Sequence, residues 1–495
     1  MKTDKNALMD ESKKANFDIN EFAKELMRQI LFNPKSNTQT AASSFTAFSK
    51  NDIVNYLQNP STTTNNKNLR NASIYMYFAS MHYQRLIQYY ANLLTWSFVV
   101  SPLNFNKAKV KEEVFKKQLQ KTLDLLELMN IYETMRNVLV VVLREGVYYG
   151  VKWNDASSVF FQKIPADYCK ISSISDGVFL YSVDMSLIAE NKLMYYPPEF
   201  TEMYQAYKRT GVKWQEVPAE ISLCIKADPT IAEYSVPPFA ATMSSLYSIS
   251  TIENNQEIKD ELDNYKMLNG QVPVDNEGNP LIPWDLVMKY YQNLSNAVGD
   301  KVGVSVTPFK LESFDFESSG SVADIDKINR AVNNYWTTAG TSGLLHGVAN
   351  NTSGVTKLAL KNDESFLYGI MKQAERWFNR YLKANVNGTI KFKITFLPIT
   401  IFNREEYVKM YKESVAFGIG KSHYLAALGI NPYDVTGLSY LENDIFDYDN
   451  LFKPLKNSHN ATADSLSDAG RPLENDGEIG DSGEITRDLD ANANR

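Results

Sequence analysis

The chemistry available to this chain depends first on its metal-binding and nucleophilic side chains, which are few. The 495 residues include two cysteines and four histidines, too few for a disulfide framework or a soft-metal cluster. His346 has no cysteine or carboxylate near it, so we expect a polar loop residue rather than a ligand. The sequence therefore predicts no metal and no cofactor, and the two cysteines favour a reducing compartment. These residues are Cys169, Cys224, His82, His346, His423 and His459.

Motifs for catalysis are equally scarce in the sequence. It contains no Gly-Lys-Ser/Thr phosphate loop, no G-x-S-x-G elbow and no H-E-x-x-H helix. The acidic side chains do not cluster with histidine and lysine in the way that a nuclease site needs. "DNEGN" (Asp275 to Asn279) is similar to a calcium loop but lacks the later glutamate of that motif, so a turn is predicted. We expect a protein that is not an enzyme.

Charge and hydropathy narrow the class of partner. The net charge of −7 and the pI near 5.4 argue against a broad basic face that grips nucleic acid. With 44% apolar residues, the chain can bury a large core in more than one structural region. The longest aliphatic run, Val138 to Leu143, is far shorter than the roughly 20 residues that span a bilayer. We therefore expect a soluble, cytoplasmic chain without a signal sequence.

One segment raises a functional question because it joins two predicted helices. "GTSGLLHGVANNTSG" (residues 340 to 354) is rich in Gly, Ser, Thr and Asn, which predicts a mobile loop. Across the whole interval Thr337 to Asn362 the only charges are Lys357 and Lys361. The simplest interpretation is an ordinary connector, since long loops are either functional or disordered.

The elements around this loop follow from hydrophobic spacing. A long helix is predicted from Pro238 to Leu268, where Asn269-Gly270 would end it, and a second from Ser321 to Trp336. Between them lies an insertion with a helix from Asp285 to Ala297 and strands after it. A third helix is predicted from residue 363 to 386, with an apolar side formed by Phe366, Ile370, Trp377, Phe378 and Leu382. The second half of the first helix is acidic, by default a solvated surface.

The remaining chain predicts an α+β fold. Residues 147 to 226 are mainly short strands with one helix starting at "PPEF", and residues 72 to 100 form an aromatic helix that "SP" at 101 and 102 ends. Before it come an amphipathic helix, Ile19 to Phe32, and two flexible connectors, the second being "NPSTTTNNKN". After it, residues 403 to 446 read as three helices. Residues 456 to 495 carry nine acids against four Lys and Arg, which predicts disorder.

In their joint order these parts resemble the portal protein of long-tailed bacteriophages. The resemblance covers roughly residues 70 to 455 and is carried by "HYQRLIQYYANLLTWSFVVSP", "LREGVYYGVKW", "IPADYCKISSISDGVFLYSVDMSLI", "VPPF" before the long helix, and "FGIGKSHYLAALGINPYDVTGLSYLENDIF". It implies a ring oligomer, usually of twelve subunits, at one vertex of the capsid of the virion, assembled in the host cytoplasm. Double-stranded DNA would be packaged and ejected through the ring.

The resemblance also implies a division of the chain into regions. The subunit would have an α/β wing, a two-helix stem, a small α/β clip and a helical crown. The implied boundaries are an N-terminal arm 1–70, the first part of the wing 71–236, stem helices 237–268 and 320–336, the clip 269–319, the channel loop 337–362, a wing helix and strand 363–402, the crown 403–455 and a tail 456–495.

Candidate site residues follow from the same resemblance. The channel loop should touch DNA without gripping it, because strong cationic contacts would hold the duplex. Lys357 and Lys361 would be its only cationic DNA contacts, and the acids of the first stem helix would repel DNA from the wall. Trp284 is a candidate anchor in the clip or part of its core. The remaining loop candidates are Gly340, Gly343, His346, Gly347, Asn350, Asn351 and Gly354, and the acids are Glu253, Glu257, Asp260 and Glu261.

The implied partners are other components of the particle. They are further copies of the chain, DNA bound without sequence preference, the large subunit of the terminase, a head-completion or adaptor protein, and the major capsid and scaffolding proteins; no membrane is implied. Two alternatives remain open. One is a cytoplasmic assembly scaffold without a DNA channel, and the other is a nucleic-acid-processing enzyme.

Overall fold

The computed structural model describes residues 47–103, 110–154, 159–263, 266–271, 273, 281–297, 302–307, 321–341, 353–386 and 388–448. Within these ranges the chain is a mixed α+β protein with helices and four small sheets. It divides into two compact units, residues 1–433 and 434–495. The predicted N-terminal amphipathic helix and the acidic tail from residue 456 lie outside the described residues.

The first unit begins with three helices, α1 (Lys50–Gln58), α2 (Thr63–Ala79) and α3 (Met81–Ala91). Ser80 separates α2 from α3, and its side chain accepts a hydrogen bond from the backbone N–H of Tyr83, which caps the second helix. The single aromatic helix predicted over residues 72 to 100 is therefore wrong. The predicted connector at 59–68 is also partly helical, because Thr62 caps α2 and starts it early.

The end of the predicted aromatic helix is a strand instead. β1 (Phe98–Leu103) pairs with β10 (Lys391–Phe396) in an antiparallel two-stranded sheet, so Ser101 and Pro102 lie within a strand rather than at a helix end. Proline lacks a backbone N–H and is tolerated in edge strands, and each strand of a two-stranded sheet has a free edge. Two helices follow β1, α4 (Glu112–Glu127) and α5 (Ile131–Glu145).

The short strands predicted between residues 147 and 226 are confirmed. β2 (Val147–Asn154) lies between β3 (Val159–Ile164) and β7 (Ser222–Lys226), all antiparallel. A second sheet has the order β4 (Cys169–Ser175), β5 (Val178–Asp184) and β6 (Trp214–Glu216).

A separate hydrophobic cluster joins these two sheets to the helix that the "PPEF" motif predicts, α6 (Pro198–Thr210). Phe200 of α6 and Tyr181 of β5 are fully buried in this cluster. The cluster gives the strand region a core of its own. The larger cluster, formed mostly by helices, is the main core.

The long helix and the insertion differ from the prediction at one boundary. α7 (Met243–Asp263) is followed by β8 (Lys266–Gln271), α8 (Trp284–Ala297) and β9 (Val302–Thr307). β8 and β9 pair in parallel, so the insertion contains a β-α-β unit. The helix ends before Asn269-Gly270, and these two residues lie in β8. The helix predicted at 285–297 is confirmed.

The chain then returns through α9 (Ser321–Ala339) and α10 (Ser353–Asn385) to β10. α10 packs against β7 of the β3-β2-β7 sheet, where Trp377 Nε1 donates a hydrogen bond of 2.6 Å to the carbonyl of Ser222. The predicted apolar side of α10 is confirmed, because Ile370, Trp377 and Phe378 are buried in the main core.

The C-terminal region contains the three helices that the sequence predicts. α11 (Arg404–Ala416) and α12 (Lys421–Ala427) belong to the first unit, whereas α13 (Asp434–Tyr440) begins the second unit and continues into a π-helical turn (Leu441–Ile445). The boundary between the two units falls after Tyr433, within the region 403–455 that the resemblance implies as the crown.

Candidate functional site

α7 and α9 pack against each other. Along the chain, the insertion lies between these two helices. Met243, Leu246 and Ile249, near the start of α7, are buried in the main core, as are Tyr335 and Trp336 near the end of α9. Glu253, further along α7, is exposed. The chain therefore leaves the core along α7 and returns to it along α9, with the β-α-β unit between these two passages.

A buried lysine fixes the segment that leads into α7. Lys226 is fully buried, and its ammonium donates hydrogen bonds to the carbonyls of Ala232 (3.3 Å) and Tyr234 (3.0 Å), as well as to that of Ile231. Burial lowers the pKa of Lys226, and the nearby Cys224, Asp228 and Glu233 oppose that effect. The ammonium thus holds the 231–234 backbone in one conformation.

Two further contacts hold the same segment. The side-chain amide of Asn66 donates a hydrogen bond of 2.7 Å to the carbonyl of Ser235. Gly146, with φ +82°, approaches so closely that a Cβ at its position would lie 2.5 Å from the carbonyl oxygen of Val236. Only glycine fits there, because both the left-handed backbone and the close approach exclude a side chain. The start of α7 is therefore positioned by the strand region and by α2.

The acids predicted to line a channel all lie on α7. Glu253 is exposed, which agrees with a solvated surface. Glu257, Asp260 and Glu261 lie on the second half of the helix, and their side chains are outside the described residues. Glu253 also acts on His82, whose pKa is lowered by burial and partly restored by this carboxylate.

The insertion exposes apolar side chains that the sequence analysis did not single out. Val287 is buried, whereas Leu286, Met288 and Tyr290 of α8 are 42%, 41% and 65% exposed. Trp284 is the first residue of α8, and its side chain is outside the described residues. Leu281, just before the helix, is also 65% exposed. The sequence predicted the helix, but its apolar spacing did not show which of its residues are exposed.

The predicted loop is shorter than the sequence indicated. Thr337 to Ala339 complete α9, and Gly340 ends it with φ +78°. α10 begins at Ser353, so Gly354, Lys357 and Lys361 lie in a helix and not in a loop. The run "SGVTKLALKN" contains enough leucine, alanine and lysine to extend the helix by ten residues. Gly343, His346, Gly347, Asn350 and Asn351 lie outside the described residues.

Lys357 and Lys361 are both exposed and lie four residues apart, so they occupy the same face of α10. Between them Leu358 is 70% exposed. The first buried residue of the described part of this helix is Asp363. The start of α10 is therefore a helical extension that presents two cations outside the core.

Asp363 marks the point where α10 enters the core. This side chain is 1% exposed, and its oxygens accept hydrogen bonds from the hydroxyls of Tyr89 (2.9 Å) and Tyr90 (2.8 Å) of α3. Burial raises the pKa of Asp363, and the two hydrogen bonds oppose that effect. The adjacent Glu364 is also buried and accepts a hydrogen bond of 2.6 Å from Thr400 Oγ1. Two neighbouring acids thus fix α10 at the base of its extension.

Other kinds of site receive no support in the described ranges. These residues hold no group of three or more His, Cys, Asp or Glu that could bind a metal. None of the helices in them combines the length and the apolar character that crossing a bilayer requires. His423 lies against Tyr411 with ring centroids 5.5 Å apart, and His82 packs on Tyr335 and Trp336.

Comparison with known proteins finds similarity among solved structures. No protein-family model matches the chain, and no curated protein matches it. The chain is similar to a chain in "Virion of native gene transfer agent (GTA) particle", at 14% identity and a TM-score of 0.40, over 74% of this chain and 94% of the other. It is similar to a chain in "Neck of empty GTA particle computed with C6 symmetry", at 13% identity and a TM-score of 0.42, over 70% and 93%.

A third similar chain occurs in "Neck of native GTA particle computed with C12 symmetry", at 14% identity and a TM-score of 0.41, over 73% of this chain and 94% of the other. The chain is thus similar, at low identity, to chains of the neck and the virion of gene transfer agent particles.

Proposed function

We propose that the chain is a portal-type subunit that forms a ring around a DNA channel at one vertex of a capsid. The observation that carries this proposal is the passage of α7 and α9 out of the main core and back into it, with the β-α-β unit between them. This arrangement supports a two-helix stem that separates a clip from the wing. The resemblance of the sequence motifs between residues 70 and 455 to portal proteins also supports the proposal.

The charges of the described residues support transit of DNA better than tight binding. A protein that makes six to ten phosphate contacts binds DNA with an affinity that changes by about 10³ to 10⁵ over a modest salt range. A ring would repeat every cation of the channel, so a subunit suited to transit needs few of them. We propose that Lys357 and Lys361 are these few cations and that Glu253 and the acids after it repel the duplex.

The exposed apolar residues of α8 support a docking role for the insertion. In the proposed ring the insertion would meet the packaging motor first and a head-completion or adaptor protein afterwards. In the described part of α8, Val287 is buried and Leu286, Met288 and Tyr290 are exposed. Exposed apolar patches mark interaction sites, so this face is suited to contact with a partner. The chain itself would not catalyse a reaction, and the ATPase of the motor would be another protein.

Electron cryomicroscopy of the purified full-length chain tests this function. We expect closed rings with an axial opening that admits duplex DNA, lined by α7 and by the start of α10. Oligomers without such an opening would contradict the channel and favour the assembly scaffold. A monomer that hydrolyses DNA or ATP would contradict the proposal and favour the enzyme.

A further inference from the structure

A cavity of about 260 Å³ lies in the first unit, where the 95–98 segment, the α4–α5 turn and the chain after α12 meet. Its apolar walls include Phe98, Leu126 and Ile131, and its polar groups include Glu127 and Asn130. A rigid apolar cavity of about 150 Å³ already binds benzene. The Trp96 cavity, named here after one residue of its wall, therefore has room for an aromatic side chain.

Trp96, in the wall of the cavity, has an uncommon backbone conformation. The residue is 3% exposed, and its indole Nε1–H is buried without a hydrogen-bond partner among the described residues. Its backbone has φ +52°, an uncommon conformation for a residue with a side chain, and Asn130 in the same wall has φ +41°. Buried donors without acceptors and left-handed residues are both unfavourable, and such residues concentrate at binding sites.

A side chain that could fill this cavity is exposed elsewhere in the same unit. Phe417 lies in the turn between α11 and α12 and is 84% exposed, and Ile419 beside it is 68% exposed. Backbone hydrogen bonds close the turn, from Phe417 N–H to Ser414 (3.1 Å) and from Gly418 N–H to Val415 (2.8 Å). The Phe417 turn is thus an ordered segment that holds an aromatic ring in solvent.

The Phe417 turn and the Trp96 cavity lie at opposite ends of α12. The turn leads into the helix at Lys421, whereas Ala426 and Gly429, at the other end, line the cavity. Seven helical residues at about 1.5 Å each separate the two ends by about 10 Å. In the single chain the ring of Phe417 stays in solvent. A contact between these two surfaces on different copies would be head-to-tail, and such contacts generate rings when their rotation closes.

We propose that Phe417 of one copy inserts into the Trp96 cavity of the next copy. The phenyl ring packs on Phe98 and Ile131 in the wall of the cavity. The contact joins α11 and α12 of one copy to the α4–α5 turn of its neighbour. This inference rests on the proposed ring and names one of the contacts that close it.

Photo-cross-linking from position 417 tests the contact directly. The full-length variant Phe417→p-benzoylphenylalanine is assembled from an equal mixture of ¹⁴N and ¹⁵N chains, irradiated and digested. We expect cross-links to residues 95–98 or 126–132 in peptides of mixed isotopic composition. Cross-links within one chain only, cross-links to other residues only, or assembly without any cross-link would overturn the proposal.

Complementary variants test whether the contact is head-to-tail. Phe417→Ala keeps the cavity, and Ile430→Trp fills the cavity but keeps the phenyl ring. Each variant alone should form rings at concentrations at least about 30-fold higher than the parent chain, which corresponds to about 2 kcal/mol per contact. A mixture of the two has one intact contact per pair and should give dimers. Phe78→Ala, which removes another exposed phenylalanine (74%), is the matched control and should assemble normally.

The outcomes separate this inference from the proposed function. If the parent chain forms rings with an axial opening and Phe417→Ala forms them at the same concentration, the contact is wrong and the portal function stands. If the parent chain forms no rings, the proposed function fails first. Thermal unfolding of each variant confirms folding, and the cross-linking result decides the question if Ile430→Trp does not fold.

Discussion

Two groups of segments differ in the burial of their side chains. The rooted segments are the parts of α7 and α9 that lie in the main core and α10 at Asp363. The outer segments are α8 and the start of α10. In the rooted segments Trp336 and Asp363 are almost completely buried. In the outer segments Tyr290 and Leu358 are 65% and 70% exposed. The difference indicates that the rooted segments hold the helices in the core, whereas the outer segments present their side chains to solvent in the single chain.

Replacing a large side chain in each region gives the largest expected difference. Trp336→Ala should lower the free energy of unfolding by about 3 to 5 kcal/mol, because it removes a buried indole that packs on Tyr335 and His82. Tyr290→Ala in α8 should change it by no more than about 0.5 kcal/mol. Chemical denaturation of the full-length variants measures both. Equal losses would show that the two regions are not packed differently.

Asp363 allows a sharper test, because its effect depends on hydrogen bonds as well as on burial. Asp363→Ala leaves the hydroxyls of Tyr89 and Tyr90 without this acceptor in a buried place, which should cost about 3 kcal/mol of stability. Asp363→Asn keeps one acceptor oxygen and should cost less. Denaturation at pH 7 compares the two, and a larger loss for the asparagine variant would contradict the assigned hydrogen bonds.

The pH dependence of stability gives an independent readout of the same carboxyl. Because burial raises the pKa of Asp363 above its unfolded value of about 3.9, the folded chain binds more protons between the two pKa values. The contribution of Asp363 to stability should therefore fall as the pH rises from about 4 through the raised pKa. Unfolding measured across this range should show a smaller decline in Asp363→Asn than in the parent chain.

Replacing Lys226 by methionine should have a smaller effect on the free energy of unfolding, because methionine keeps most of the aliphatic part of the side chain. Lys226→Met removes the donor to the carbonyls of Ala232 and Tyr234 at the base of α7, and it also removes a buried charge. We expect a loss of about 1 to 3 kcal/mol from the unsatisfied carbonyls. Lys192→Met, at an exposed lysine, is the control and should change stability by less than about 0.5 kcal/mol. Equal effects would mean that Lys226 does not fix the segment.

The sequence predicted the elements whose pattern is local. The strands β2 to β5 and β7 are short runs of β-branched and aromatic residues between turns, and the apolar spacing of α10 identified its buried face. β8 was missed because Lys266–Gln271 continues a helical segment and contains Asn-Gly, which is typical of a helix end. Its strand conformation depends on parallel pairing with β9, a contact between distant residues that local spacing does not encode.

The candidate site was predicted only in part for a related reason. Asp363 and Glu364 look like the acids that favour the first turn of a helix, so the sequence placed the helix start there. Their real partners, Tyr89, Tyr90 and Thr400, are far away in the sequence. Because the predicted helix starts at residue 363, the prediction places Lys357 and Lys361 in a loop. Their proposed role does not depend on a loop, because an exposed helix presents them equally well.

These two lysines give the smallest expected effect on stability and the closest test of the outer segments. The double variant Lys357→Ala, Lys361→Ala should change the free energy of unfolding by less than about 0.5 kcal/mol, because both side chains are exposed. In assembled particles it should reduce genome packaging and retention. It should also weaken the salt dependence of DNA binding, because each phosphate contact contributes about 0.9 to the logarithmic slope.

The control for this variant is Lys409→Ala, Lys412→Ala on α11, which removes the same charge from two other exposed lysines. If both double variants reduce DNA retention equally, net charge rather than position is responsible. If the α10 variant leaves packaging, retention and the salt slope unchanged, the start of α10 does not contact DNA. A specific loss in the α10 variant alone would mean that an outer segment, although it contributes little to the stability of the fold, carries the contact with the duplex.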